Sequence, residues 1–241
     1  QAEDTSVELN KPQRLSDDCV TCFGRHNPPH IGHKLTFDRA NQVAQDVGGD
    51  QRFYTSRSQD AKKNPLPYEL KVDHLQRMFP DHKDKWDTDD NVRTVLDSAK
   101  KAHADGYKNF HYVGGGDRKD EMEKLLRKYN GDLYDFQNIH SHDAGSRDDL
   151  DDPISMISAS KQRDFAQNDD FEGFSEGILN HKGYSPKDAK ELFELLQKFM
   201  VKNEDVDIRE LYATGQIFLE GDVVESLVSG LQGRIHRRGA N

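Results

Sequence analysis

Behind Phe23 the chain reads Gly24-Arg25-His26-Asn27-Pro28-Pro29-His30-Ile31-Gly32-His33, a concentration of imidazole, glycine and proline at the end of a short apolar run. His30 and His33 are three apart, so at the start of a helix their rings share one face. There they stand beside the free amides and the positive end of the helix, a place that attracts phosphate. Gly24 lets backbone amides approach a ligand closely, and Gly32 does the same between the two histidines. Pro28-Pro29 stiffens the turn and suits positions just before or at the first helical residues. Together these groups form a cradle for the charge that develops on a triphosphate during displacement. The plainer alternative is a pair of surface histidines at an ordinary helix start. Strand end, glycine, Pro-Pro and His-x-Gly-His in this order favour the cradle.

Such a cradle needs elements that hold it. Residues 18–23, with Cys19-Val20-Thr21-Cys22-Phe23, read as the first strand of a parallel sheet. Residues 31–47 carry a helical stripe stopped by Gly48-Gly49. A second strand is expected over 52–55, helices over 70–79 and 92–104, a strand over 109–113 ending in Gly114-Gly115-Gly116, and a helix over 117–129. This alternation predicts an α/β fold with right-handed crossovers, a doubly wound parallel sheet. Ligands of such sheets bind beyond the carboxyl ends of the strands, which directs attention to Gly24 and to Gly114-Gly115-Gly116. Further helices are expected over 161–168, 171–179 and 185–200, with Ser185-Pro186 as cap and first-turn pair. Glycine-broken alternation from Ile217 onward predicts a small β appendage. The organisation expected is a polar arm over 1–16, an α/β domain over 17–182, a helical segment over 183–215 and the appendage over 216–241.

With 33% hydrophobic and 32% charged residues, the chain should form a compact core under a heavily solvated surface. Its net charge of −10 argues against a nucleic-acid partner, since counterion release rewards basic proteins. A small nucleotide needs only one local cluster of donors. No run approaches a membrane span of ~20 apolar residues, and no membrane association is expected. Residues 1–10 are polar and acidic, unlike a secretory or transit peptide. Cys19 and Cys22 have the spacing of a redox pair or half a zinc site, but in a strand residues three apart point to opposite faces. No second cysteine pair exists, so two buried reduced thiols are expected and no residue is assigned to a metal. These features suit a cytoplasmic protein. The run Asp148 to Asp152 reads as a solvated acidic loop.

The segment His30-Ile31-Gly32-His33 behind Gly24-Arg25-His26-Asn27-Pro28-Pro29 resembles the His-x-Gly-His signature of the cytidylyltransferase-like nucleotidyltransferase superfamily. Ile157-Ser158-Ala159-Ser160-Lys161-Gln162-Arg163 is similar to that family's Ile-Ser-x-Thr-x-x-Arg segment, and Ser160 keeps the hydroxyl of the commoner Thr. Gly115-Gly116-Asp117 resembles its Gly-x-Asp strand end. The three signatures span about residues 18 to 165, and the segment after Gly183 lies outside them. Residues 56–80, with Lys62-Lys63-Asn64-Pro65-Leu66, further resemble versions encoded by large tailed phages. His26 departs from the family, which usually has Phe there.

The resemblance implies transfer of AMP or CMP from ATP or CTP to a phosphate-bearing acceptor, with magnesium as the accompanying ion and pyrophosphate leaving. It implies that His30 and His33 contact the phosphates and that Arg163 neutralises the leaving group, with Lys161 as a helper. It also implies that Phe23, Gly24, Arg25, Gly32, Asp117, Ser158 and Ser160 surround the nucleotide. Lys62 and Lys63 lie on the same edge, where they either meet an acidic acceptor or belong to a solvated loop. A class I aminoacyl-tRNA synthetase also uses His-Ile-Gly-His, but this chain is too short and too acidic for a tRNA partner. The serious rival is a structural or scaffolding protein of a phage particle built on such a domain. That rival binds nucleotide with little turnover and meets another copy or an assembly partner through the appendage. It would place the protein in the host cytoplasm or the virion.

Overall fold

The computed structural model describes residues 16–145, 157–178, 183–201, 220–221, 223–225 and 232–235. The polar arm up to residue 15, the acidic run 148–152 and most of the stretch beyond 201 lie outside these. Strand β1 (Asp18–Gly24) leads through a short 3-10 turn (Ile31–His33) into helix α1 (Lys34–Val47). There follow β2 (Asp50–Thr55), α2 (Tyr68–Met78), a second 3-10 turn (Pro80–Lys85), α3 (Val95–Ala104) and β3 (Asn109–Gly114). After these come α4 (Gly116–Lys128), β4 (Asn138–Asp143), α5 (Ala159–Gln167), α6 (Phe171–Glu176) and α7 (Pro186–Val201). A short antiparallel pair, β5 (Val223–Glu225) with β6 (Gln232–Arg234), lies in the stretch expected to form the appendage.

The chain is an α/β protein. Its main sheet has the order β2-β1-β3-β4 with every pair parallel. Helices cover both faces. Val20, Cys22 and Phe53 face one apolar cluster with Phe37 and Ala40 of α1, Leu75 of α2, Phe174 of α6 and Leu192, Phe193 and Leu196 of α7. Cys19 and Phe110 face the other, with Ala99 of α3 and Leu126 of α4. Residues alternate faces along a strand, so the two cysteines part company, and both are free and buried. Burial pushes the Cys19 thiol up to about 11 and raises that of Cys22 as well, which keeps both inert.

The expected elements appear with shifted ends, because caps and tertiary contacts set the boundaries. Residues 31–33 form a 3-10 turn before α1 proper begins. Helix α3 starts only at Val95, where Thr94 and Asp97 form a reciprocal capping box. Gly48 ends α1 in the left-handed conformation. The strand β4 has no apolar run, since Ile139 alone is buried, and its polar residues belong to a sheet edge. Across the sheet His111 is hydrogen-bonded to Asp18 at 2.9 Å and to His142 at 3.0 Å, joining β1, β3 and β4. Among the described residues no helix is long and apolar enough to cross a membrane.

Phe37 is fully buried, with ring centres 5.2 Å from Phe53, 5.0 Å from Phe79 and 5.4 Å from Trp86. Phe37→Ala should destabilise the protein by about 3–5 kcal/mol in urea unfolding; a loss below about 1 kcal/mol would show that the cluster is not cooperative. Burial also pushes His74 and His142 down to about 4. Unfolded imidazoles titrate near 6.5, so the folded state resists protonation and this stability is present above ~6.5 and is lost as pH falls toward ~4. Urea midpoints should drop across that window, and His74→Gln and His142→Gln should each flatten the profile. An unchanged profile in both variants would refute the assignment.

Candidate functional site

A cavity of about 340 Å³ opens where β1 and β3 end. In the strand order β2-β1-β3-β4 the chain reverses its direction of progress between these two neighbours. That crevice, outside the carboxyl ends of the strands, is where open α/β sheets bind ligands.

The first wall is the loop after β1. Gly24 is required there, since a Cβ atom would lie 2.6 Å from His26 Nε2. His26 adopts a left-handed backbone, φ 45°, and its side chain is folded into the protein. Such a conformation costs a non-glycine residue of order 1 kcal/mol or more and is held by packing: the ring sits edge-on to Trp86 at 5.6 Å and to His33 at 4.7 Å. Burial, with His33 and Lys71 nearby, holds the His26 pKa well below the usual imidazole range, so the ring is neutral. The Asn27–Pro28 peptide bond is cis. Asn27 spends its whole amide on one residue, accepting from Leu66 N at 3.1 Å and donating to Leu66 O at 3.2 Å.

His30 and His33 lie against each other, with ring centres 3.7 Å apart and planes tilted by 30°. The backbone N–H of His30 donates to His33 Nδ1 at 3.1 Å. Nδ1 is therefore an acceptor, and the neutral ring carries its proton on Nε2. Gly32 is not in the cavity wall; its own contribution is room, since a Cβ there would approach the His30 ring to 2.9 Å.

The second wall is the start of α5. Ser158 caps the helix by accepting from Lys161 N at 3.2 Å. Arg163 crosses to the loop, donating to Asn27 O at 2.7 Å and to Ser160 Oγ at 3.1 Å. Burial lowers its pKa, yet a guanidinium stays charged. The third wall is the end of β3 with Gly114 and Gly115, followed by Arg118 in the first turn of α4.

Of the residues singled out by sequence, Phe23, Gly24, Arg25, His30, His33, Ser158, Ser160, Arg163 and Lys63 meet around this cavity. Lys62 and Lys161 do not line it: Lys62 is exposed on its turn, and the Lys161 ammonium lies over the Phe165 ring at 5.7 Å. Asp117 is the second residue of α4, immediately after Gly116. Sequence reasoning passed over Thr36, Tyr112 and Arg118 as wall residues. Arg118 was the findable one, because it follows a glycine-rich strand end at a helix start.

The cavity carries Arg25, Lys63, Arg118 and Arg163, and among the described side chains lining it there is no carboxylate. That contrasts with a chain whose net charge is −10. Three helical starts, the 3-10 turn before α1, α4 and α5, converge on the same space. The arrangement is built for a polyanion. Among the described residues no group of three or more histidines, cysteines or carboxylates is disposed as a metal site.

Asn27→Ala removes two buried hydrogen bonds and should cost about 2 kcal/mol in urea unfolding. A cost below about 0.5 kcal/mol would show that the amide does not hold the loop.

In comparisons with known proteins, no family model matches this chain, and no curated protein matches it.

Proposed function

We propose that the protein is a nucleotidyltransferase of the His-x-Gly-His type on a doubly wound, Rossmann-like sheet, moving AMP or CMP from a nucleoside triphosphate to a phosphate-bearing acceptor. One observation carries this reading: the closely packed His30–His33 pair and Arg163 face a single cavity at the strand-order reversal, with three helix starts and no described carboxylate in its wall. That inventory suits phosphoryl chemistry, in which positioning and charge neutralisation supply most of the catalysis.

An oxygen of the acceptor phosphate attacks the α-phosphorus. The bond from that phosphorus to the α–β bridging oxygen breaks, and pyrophosphate departs with the electron pair. The Nε2–H of His33 donates to a phosphate oxygen as negative charge grows there, and His30 lies against it to fix its plane. Arg163, tied to the loop through Asn27 O, neutralises the pyrophosphate. The amides at the start of α5, behind Ser158, and the hydroxyl of Ser160 hold the remaining phosphate oxygens. Gly24 and Arg25 leave room for, and flank, the nucleotide, and by the family likeness Asp117, the second residue of α4, is the candidate for the ribose or base. Lys63, on the loop tethered to Asn27 through Leu66, is placed for an acidic acceptor.

Magnesium enters as the partner of the triphosphate. Its preferred ligands are oxygens, chiefly carboxylates, whereas the described wall offers imidazole and guanidinium; no residue of the chain is assigned to the ion.

With magnesium and a panel of triphosphates and acceptors, the wild-type protein should release pyrophosphate. His33→Ala should lower the rate by about 10²-fold or more while keeping the wild-type circular dichroism. Failure to bind any triphosphate at millimolar concentration would overturn this reading in favour of a scaffolding role.

A further inference from the structure

Lys71 is the fourth residue of α2, with none of its surface exposed. Lysine rarely does this, because its long stem normally carries the ammonium to water. Here the ammonium is turned inward, beneath the histidine loop. It donates to Arg25 O at 3.3 Å, to the backbone carbonyl of Ser56, and to Ser56 Oγ at 3.4 Å. All three acceptors are neutral. Among the described residues Lys71 takes part in no ion pair, and a buried charge without a countercharge is expensive.

The titratable groups around it do not provide the missing negative charge. The loop above contributes the Arg25 carbonyl and the neutral His26 ring. On its own helix His74 turns away to the Tyr184 hydroxyl at 2.7 Å, while the end of β2 offers Thr55 and Ser56. Each of these is cationic or neutral.

The contacts also orient the loop. Arg25 O accepts from both Lys71 Nζ and Thr55 Oγ1, so this carbonyl points down, away from solvent. The Arg25–His26 peptide is trans, and a trans peptide directs its N–H opposite to its carbonyl. The N–H of His26 is thereby turned away from Lys71, toward the side of the loop that carries the cavity.

We propose that Lys71 is the resident cation of this site: it orients the Arg25–His26 peptide from below, and its charge, unbalanced by the protein, is balanced by the polyphosphate of the bound ligand. This rests on the triphosphate-binding reading above. Lys71 touches no ligand atom and is a positioning residue that acts through the loop and its field.

Burial pushes the Lys71 pKa down to about 8 when the cavity is empty. An anion bound above it favours the charged form, so binding at higher pH takes up a proton. The experiment is titration calorimetry at pH 9 with inorganic tripolyphosphate and with ATP, each in two buffers of different ionisation enthalpy. Wild type should take up close to one proton per ligand, because about nine-tenths of the Lys71 population is uncharged one pH unit above its pKa. Lys71→Arg keeps a permanent cation and should bind with no such uptake. Lys71→Met should show no uptake and bind both ligands at least about tenfold more weakly at pH 7. Histidines common to all three proteins cancel in the comparison.

If wild type and Lys71→Arg take up the same number of protons, or Lys71→Met binds tripolyphosphate as tightly as wild type, the inference falls while ATP binding stands. If Lys71→Met does not fold, the wild-type and Lys71→Arg comparison decides alone. If neither ligand binds wild type at millimolar concentration, the triphosphate reading fails and this inference fails with it.

Discussion

Phe37 lies fully buried directly beneath the histidine loop, and its ring looks in two directions. On one side it meets Phe53, Phe79 and Trp86 of the core; on the other it meets His26 at 5.6 Å and His33 at 6.4 Å. A loop that would otherwise hold polar rings in solvent is thus pressed onto an aromatic platform. Interiors are close-packed and resist small displacements. The left-handed turn at His26, the paired His30 and His33 rings and the Nδ1 acceptor of His33 all inherit their positions from that contact. The choice of His at 26 fits this surface, because a flat ring with a polar edge serves both an apolar floor and a loop of imidazoles.

Above the platform the electrostatics reverse the character of the whole protein. A chain with a surplus of ten acidic charges gathers cations and helix starts at one sheet edge. Like charges gathered in this way repel when the site is empty, and the chain meets that cost with rigid contacts. Arg163 is pinned by Asn27 O and Ser160 Oγ, and Lys71 by two carbonyls and a hydroxyl. Donors fixed before a ligand arrives need no reorganisation when charge develops.

Much of this was legible in the sequence. The strand over Cys19-Val20-Thr21-Cys22-Phe23, the helical stripe through Phe37 and Ala40 and the glycine-bearing strand ends gave a parallel α/β sheet, because apolar periodicity and glycine placement are local signals. Glycine placement and histidine spacing drew His30 and His33 toward one edge, whereas Ser158, Ser160 and Arg163 came in only through the likeness of residues 157–163 to a known signature. What escaped was non-local. Strand β4 reads Asn-Ile-His-Ser-His-Asp, and an edge strand with one buried side chain leaves no apolar pattern to find. Lys71 looks like any solvated helical lysine until the fold lays α2 under the loop. The weight placed on Lys62 and Lys161 came from spacing and likeness alone, and neither lines the cavity wall. Side-chain direction at a turn or beside a helix cap depends on contacts that a linear pattern does not contain.

The paired hydrogen bonds between Asn27 and Leu66 have a mechanical meaning. They couple the segment bearing the two imidazoles to the segment bearing Lys63 as firmly as a pair of neighbouring strands is coupled. One side of the crevice therefore moves as a single jaw. Arg163 of α5 donates to the carbonyl of the same Asn27, so the second wall of the crevice is fastened to that jaw as well, and one asparagine joins three separate stretches of chain.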